Sequence, residues 1–297
     1  MTPFKNVLAA TDFSSPSRQA ADRAARLART TGARLQLVHA LGGGALAQLQ
    51  QWLGLGSAVE QALIEQTRKA LGVMAHELSA ARGVTVEPVL VHGAVLEALM
   101  RQAEEMHADL VALGALGADF MRRFVLGSTA ERLLRKSRIP MLVVKQRAHE
   151  PYRRVLVAVD FSEWSAPLLD LARGVAPGAH LVLLSACEVP FEGKLRFASV
   201  AEATIEKLRV QVQQAATDQL HALAARAGLK PADWTPCIPY ADASLAIVEQ
   251  EQELDCDLIV IGKHGQNMAE ELLLGSVTKH VLTESAGDVL VSTSRQA

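Results

Sequence analysis

The feature that most constrains this chain is an internal repeat, because a duplicated sequence must build the same unit twice. Asn6-Val-Leu-Ala-Ala-Thr-Asp-Phe-Ser14 returns as Arg154-Val-Leu-Val-Ala-Val-Asp-Phe-Ser162, 148 positions later. Ala108-Asp-Leu-Val-Ala-Leu-Gly114 returns as Cys256-Asp-Leu-Ile-Val-Ile-Gly262, again 148 positions later. Between these anchors, Gly32-Ala33 matches Gly178-Ala179 at a spacing of 146, so compensating insertions and deletions lie in the intervening loops. The seam falls in the polar stretch Gln146–Tyr152, which holds Pro151. Two domains are therefore expected, residues 1–147 and 152–297.

Each copy alternates strands and helices. Asn6–Ala10 is an apolar run of the length of a buried parallel strand. Ser14-Ser15-Pro16 supplies an N-cap and a proline in the first turn, and Ala20, Ala24, Leu27 and Ala28 continue at helical spacing to a stop at Gly32. The pattern then predicts a strand at Leu35–His39, a helix at Val59–Ala81, a strand at Val84–Val91 and a helix at Val95–His107. A strand at Leu110–Gly114, a helix at Ser128–Lys136 and a strand at Ile139–Val144 complete the copy. The second copy repeats this order from Arg154 to Ser292. Such alternation means an α/β fold, a parallel sheet with helices on both faces.

A glycine pattern follows the fourth strand of each copy. The first reads Gly114, Gly117, Gly127-Ser128-Thr129 and the second Gly262, Gly265, Gly275-Ser276, both G-x2-G-x9-G-S. Just past a strand's carboxyl end, glycine lets backbone pass close to a ligand. The third glycine opens a helix, whose free N–H groups favour a phosphate, and the serine hydroxyl adds a donor. With glycine at about 7% of residues, one such match arises by chance in roughly one chain in ten of this length. Two matches in register with the repeat are far stronger evidence of homology, although duplication makes them one vote for function. Asp12 and Asp160 each follow the first strand, where a carboxylate meets adenine, ribose or phosphate-bound Mg²⁺, or else caps the next helix.

The strand end with its Asp-Phe-Ser, the glycine loop and the closing Leu-Val-Val strand together resemble the universal stress protein family over essentially the whole chain, as a tandem pair. Ile261-Gly-Lys-His-Gly265 followed by Leu272-Leu-Leu-Gly-Ser-Val-Thr278 is especially similar. The resemblance implies two five-stranded parallel sheets of order 3-2-1-4-5, with ATP or another adenine nucleotide between the first and fourth strands, with or without Mg. By that analogy Asp12 and Asp160 lie near the adenosine. Backbone at Val38, His39, Leu184 and Ser185 lies beside the base, and the glycines with Ser128, Thr129 and Ser276 hold ribose and phosphates. The family also pairs through its last strand, which implies an intramolecular pseudo-dimer built on Met141–Val144 and Val289–Ser292, with a homodimer of chains as a further association. One departure from the family stands out: Val91-His92-Gly93 follows the third strand of copy one, but Pro239-Tyr240-Ala241 stands in copy two.

Other function classes fit poorly. No G-x4-G-K-[ST] and no G-x-S-x-G occurs, and the Gly42-Gly-Gly44 run is not a dinucleotide fingerprint. The histidines form no HxxxH or HxH pair, so no metal site is expected. Net charge is −2 without long runs of one sign, which argues against nucleic acid and anionic membrane as partners. No window reaches the ~18 apolar residues of a spanning helix. Met1–Asp12 runs directly into a strand without the hydrophobic region of a signal peptide. Cys187, Cys237 and Cys256 lack a CxxC spacing and read as reduced core thiols, so the cytoplasm is expected. No catalytic residues stand out. The leading expectation is a nucleotide-binding, stress-response module with regulatory or protective action. The alternatives are a slow Mg-dependent ATP hydrolase of the same fold and an interaction protein with vestigial pockets.

Overall fold

A computed structural model describes residues 4–42, 57–115, 126–263 and 273–293. The described residues divide into two compact units between Pro151 and Tyr152. In the first unit, β1 (Asn6–Ala10), α1 (Ser15–Thr31), β2 (Arg34–Leu41), α2 (Ser57–Arg82) and β3 (Val86–His92) lead to α3 (Val95–Glu105). β4 (Leu110–Gly114), α4 (Ser128–Lys136) and β5 (Met141–Val144) follow. Its strands lie in the order β3-β2-β1-β4-β5 and every pairing is parallel. That is the predicted 3-2-1-4-5 arrangement, whose order reverses between β1 and β4.

The second unit holds β6 (Arg154–Ala158), α5 (Ser165–Val175), β7 (His180–Leu184), α6 (Glu192–Phe197), α7 (Glu202–Arg226) and β8 (Trp234–Cys237). α8 (Ala243–Glu253), β9 (Leu258–Gly262), α9 (Ser276–Glu284) and β10 (Asp288–Ser292) complete it. Its parallel strands run β8-β7-β6-β9-β10, the same order. The short helix α6 is absent from the sequence-based expectation, and its counterpart segment in copy one lies outside the described residues.

Local chemistry explains the element ends. Ser14 caps α1 by accepting from Ser17 N, Pro16 sits in the first turn, and Gly32 ends the helix at φ 73°. α3 stops at Glu105, earlier than its apolar pattern suggests, because His107 turns left-handed at φ 52°. β5 begins at Met141 and not at Ile139. The Ser137 hydroxyl donates to the Ile139 carbonyl and accepts from its N–H, which holds these residues in a turn. In both units an aspartate just before the fourth strand orders the start of the first. Asp109 accepts from Lys5 N (2.8 Å) and Asn6 N (3.0 Å), and Asp257 from Arg153 N (2.8 Å) and Arg154 N (3.3 Å). These bonds give a structural reason for the repeated Asp-Leu.

Aromatic residues are only 4% of the chain, and the cores are correspondingly aliphatic. Val7, Leu8 and Ala9 are fully buried in β1, as are Val155, Leu156 and Val157 in β6. Ala20, Ala21, Ala24, Ala25 and Ala28 form the buried side of α1 and let that helix lie close on β1 and β4. α1 packs beside α2, and α3 beside α4. Among the described residues no helix is long and apolar enough to cross a membrane.

Candidate nucleotide site

The site forms where β1 and β4, or β6 and β9, diverge. Thr11 N–H bonds the Val38 carbonyl and Val159 N–H bonds the Leu184 carbonyl, both at 2.9 Å. These bonds extend the sheet by one residue and deliver Asp12 and Asp160 at its edge. The next residues, Phe13 and Phe161, are left-handed at φ 65° and 61°. A non-glycine residue in that region carries strain of about 1–3 kcal/mol, and both copies keep it.

Each aspartate stabilises the turn it precedes. Asp12 Oδ1 accepts from Ser14 N (3.0 Å) and Ser14 Oγ (2.5 Å). Asp160 Oδ1 accepts from Ser162 N (3.0 Å), Ser162 Oγ (2.6 Å) and Ser165 Oγ (3.3 Å). Neither aspartate caps the next helix as weighed from sequence: Ser14 is the N-cap of α1 and Trp164 that of α5, and the aspartates hold the turn before those helices. His39 is also committed in part: its Nδ1 lies 2.7 Å from the Thr11 carbonyl oxygen and so donates to it. Its ring rests on Phe13, with centroids 4.6 Å apart.

The glycine loops share one closure. Gly127 N–H bonds the Ala115 carbonyl (2.9 Å), and Gly275 N–H bonds the Lys263 carbonyl (3.0 Å). This neck brings the amino ends of α4 and α9 back over the fourth strand. Gly127 and Gly275 are the N-caps, and neither helix has a side-chain cap. First-turn N–H groups without a cap, at the positive end of a helix dipole, attract an anion. Both glycines have ordinary extended backbone, φ −60° and −57°, so no left-handed requirement fixes them. Gly114 is fixed differently: an added Cβ there would meet the Pro16 backbone at 2.8 Å. Ser128 and Thr129 open α4 and are exposed. Gly117 and Gly265 lie outside the described residues.

In the second unit these pieces enclose a cavity of about 640 Å³. Asp160, Leu184, Ser185, Gly262, Gly275 and Ser276 all line it, which brings together every described site residue predicted for that copy. Trp164, Cys187 and Thr278 are among the further lining residues that sequence reasoning did not assign to the site. The Thr278 hydroxyl donates to the Gly262 carbonyl at 2.7 Å and so ties α9 to the strand end. Thr278 closes the Leu272–Thr278 stretch quoted above, whereas no sequence motif marks Trp164 or Cys187, which join the site only through the fold.

The wall after β8 departs from copy one, as its sequence suggested. Gly93 takes φ 121°, whereas Ala241 needs no left-handed backbone. Tyr240 instead anchors the segment after β7. Its hydroxyl accepts from Val189 N (2.9 Å) and donates to Glu192, which also pairs with Arg209. Arg209 and then Tyr240 hold the Glu192 carboxyl down at about 2. Among the described residues no cluster of His, Cys, Asp and Glu could hold a metal ion.

Burial raises all three thiols above their ordinary value, with nearby Glu188 and Glu253 adding to the effect at Cys187 and Cys237. Burial pushes Cys256 up to about 12. A raised folded-state value means that the contribution to stability is complete below pH 9 and is lost as pH rises toward 12. Native protein at pH 8 should therefore resist iodoacetamide at all three positions, Cys256 most of all, while urea-unfolded protein labels fully. Rapid native labelling of Cys256, read by mass spectrometry, would contradict its burial.

The family model described as "Universal stress protein family" matches residues 3–145 and again 151–293. The chain belongs to the universal stress protein family. A universal stress protein of Mycolicibacterium smegmatis is 27% identical over 240 residues, covering 77% of this chain and 74% of its own. One from Methanocaldococcus jannaschii is 26% identical over 151 residues, covering 50% of this chain and 85% of its own. Among solved structures, a universal stress protein from Archaeoglobus fulgidus superposes with a TM-score of 0.69 at 20% identity. That match covers 98% of this chain and 97% of the other, so the fold extends across both copies of this tandem universal stress protein.

Proposed function

We propose that each copy binds an adenine nucleotide and that the protein acts in stress response as a regulatory or protective binding module. The observation that carries this reading is the cavity of the second unit. It joins an uncapped helix amino end, at Gly275-Ser276, to a carboxylate at Asp160 and to the apolar strand end at Leu184. The helix end suits phosphate, the carboxylate suits ribose hydroxyls, and the apolar walls suit a base. Copy one keeps the corresponding Asp12, Val38, Gly127 and Ser128 in the same local geometry. The commitment of one oxygen of each aspartate to its serine turn favours binding over hydrolysis through aspartate-held Mg²⁺. Free thiols suit a reducing cytoplasmic compartment.

Main-chain donors read phosphate well and discriminate bases poorly, so modest specificity is expected. Titration calorimetry should detect ATP, ADP or AMP at up to millimolar concentration. Heat-silent titrations with all three, on folded protein, would overturn the reading.

A further inference from the structure

The cavity of the second copy is larger than the crevice between β6 and β9. It also takes in Trp164 and Leu168, at the start of α5, together with Val212, Ala215, Ala216 and Gln219 of α7. This extension belongs to the same cavity as Asp160 and the α9 amino end, and so adjoins the proposed nucleotide.

Comparison of the copies gives its origin. Gly83 (φ 65°) and Gly228 (φ 66°) follow α2 and α7, and they place the two helices in register 145 residues apart. In that register buried Leu71 corresponds to Ala216, and buried Met74 to Gln219. In copy one Met74 Sδ sits 3.8 Å from the Thr11 hydroxyl, directly beside the strand end that carries Asp12. In copy two the residue corresponding to Thr11 is Val159, and Gln219 lines the cavity while staying exposed at its edge. Leu168 replaces Ala20 and returns some volume from the α5 side. The cavity nevertheless reaches four residues of α7.

A chamber so walled is apolar on its faces and has a polar amide at its mouth. A bare adenine nucleotide leaves it to water, whereas an apolar group placed there is removed from water, which favours binding. We infer that the second copy accepts an adenine nucleotide carrying a compact apolar substituent on its base or ribose, seated between Trp164 and Ala216, and that the first copy does not. The inference rests on the nucleotide reading above. It makes the two sites different in ligand class.

The test uses the full chain, native mass spectrometry and three probes: ATP, N6-benzyl-ATP and ATP esterified on the ribose with N-methylanthranilate. The two analogues distinguish a base-side from a ribose-side substituent. Wild type should bind two ATP but one copy of at least one analogue. The variant Ala216→Leu/Gln219→Met restores the first copy's side chains. It should still bind two ATP and should bind that analogue about tenfold or more weakly, the scale of a pocket's discrimination by one or two carbons. The reciprocal variant Leu71→Ala/Met74→Gln should raise analogue stoichiometry to two, which keeps the test decisive if the filled variant misfolds. Analogue binding that neither variant changes, or ATP binding with no analogue bound, overturns the inference alone. Failure of wild type to bind ATP overturns the nucleotide reading beneath it.

Discussion

The double variant Gly127→Val/Gly275→Val should bind no nucleotide, and each single variant should keep about one per chain. Gly275 lines the cavity, so the two methyls of valine would project where the first-turn N–H groups of α9 meet an anion. Gly127 holds the same N-cap position on α4, with the same neck bond to the loop. Backbone strain does not confound the result, because valine adopts the observed extended φ of both glycines readily. The loss of a good N-cap residue costs about 1 kcal/mol or less, which is small against the stability of a domain. Native mass spectrometry counts the nucleotides, and circular dichroism establishes that the variants are folded. Unchanged stoichiometry in a folded double variant would remove the glycine loop from the binding site.

Much of this architecture is legible from sequence because its central parallel strands are short and have apolar, buried middles, as in Val7–Ala9 and Leu110–Leu113. Asn6–Ala10, Leu110–Gly114 and Ser128–Lys136 have the same limits in the sequence pattern and in the structure. The duplication supplies the rest, since a weak signal seen twice in register stops being weak. What escapes is whatever depends on contacts distant in sequence. Trp164 and Ala216 line one cavity although they lie 52 positions apart, and no local pattern joins them. The boundaries at Ile139 and His107 were set by a side-chain hydrogen bond and a left-handed residue, neither of which alters hydrophobic periodicity. The glycines illustrate the same limit. Their spacing is plain, but the reason for each one requires neighbours that the sequence does not name.

Gly114→Val should be the most destabilising of the single glycine substitutions considered, although it belongs to the same motif as Gly127. An added Cβ would lie 2.8 Å from the Pro16 carbonyl carbon, 2.9 Å from its oxygen and 3.0 Å from its Cβ. The first two atoms are backbone, in the first turn of α1, and cannot rotate away. Relief requires α1 to lift from β4, yet its alanine face makes a close fit to the sheet, with Ala20, Ala21, Ala24 and Ala28 fully buried. Overpacking of this kind costs typically about 1–3 kcal/mol, and valine's γ-methyls deepen the clash. At about 2–4 °C per kcal/mol for a domain of this size, the first unit should melt several degrees earlier in nucleotide-free calorimetry. Gly127→Val should change that transition far less while abolishing the first site. Gly114→Ala should fall between, because it adds the Cβ without the branches. Equal melting temperatures for wild type and Gly114→Val would mean that α1 yields without cost. The first glycine of the motif would then have to be explained by the ligand and not by the helix beside it.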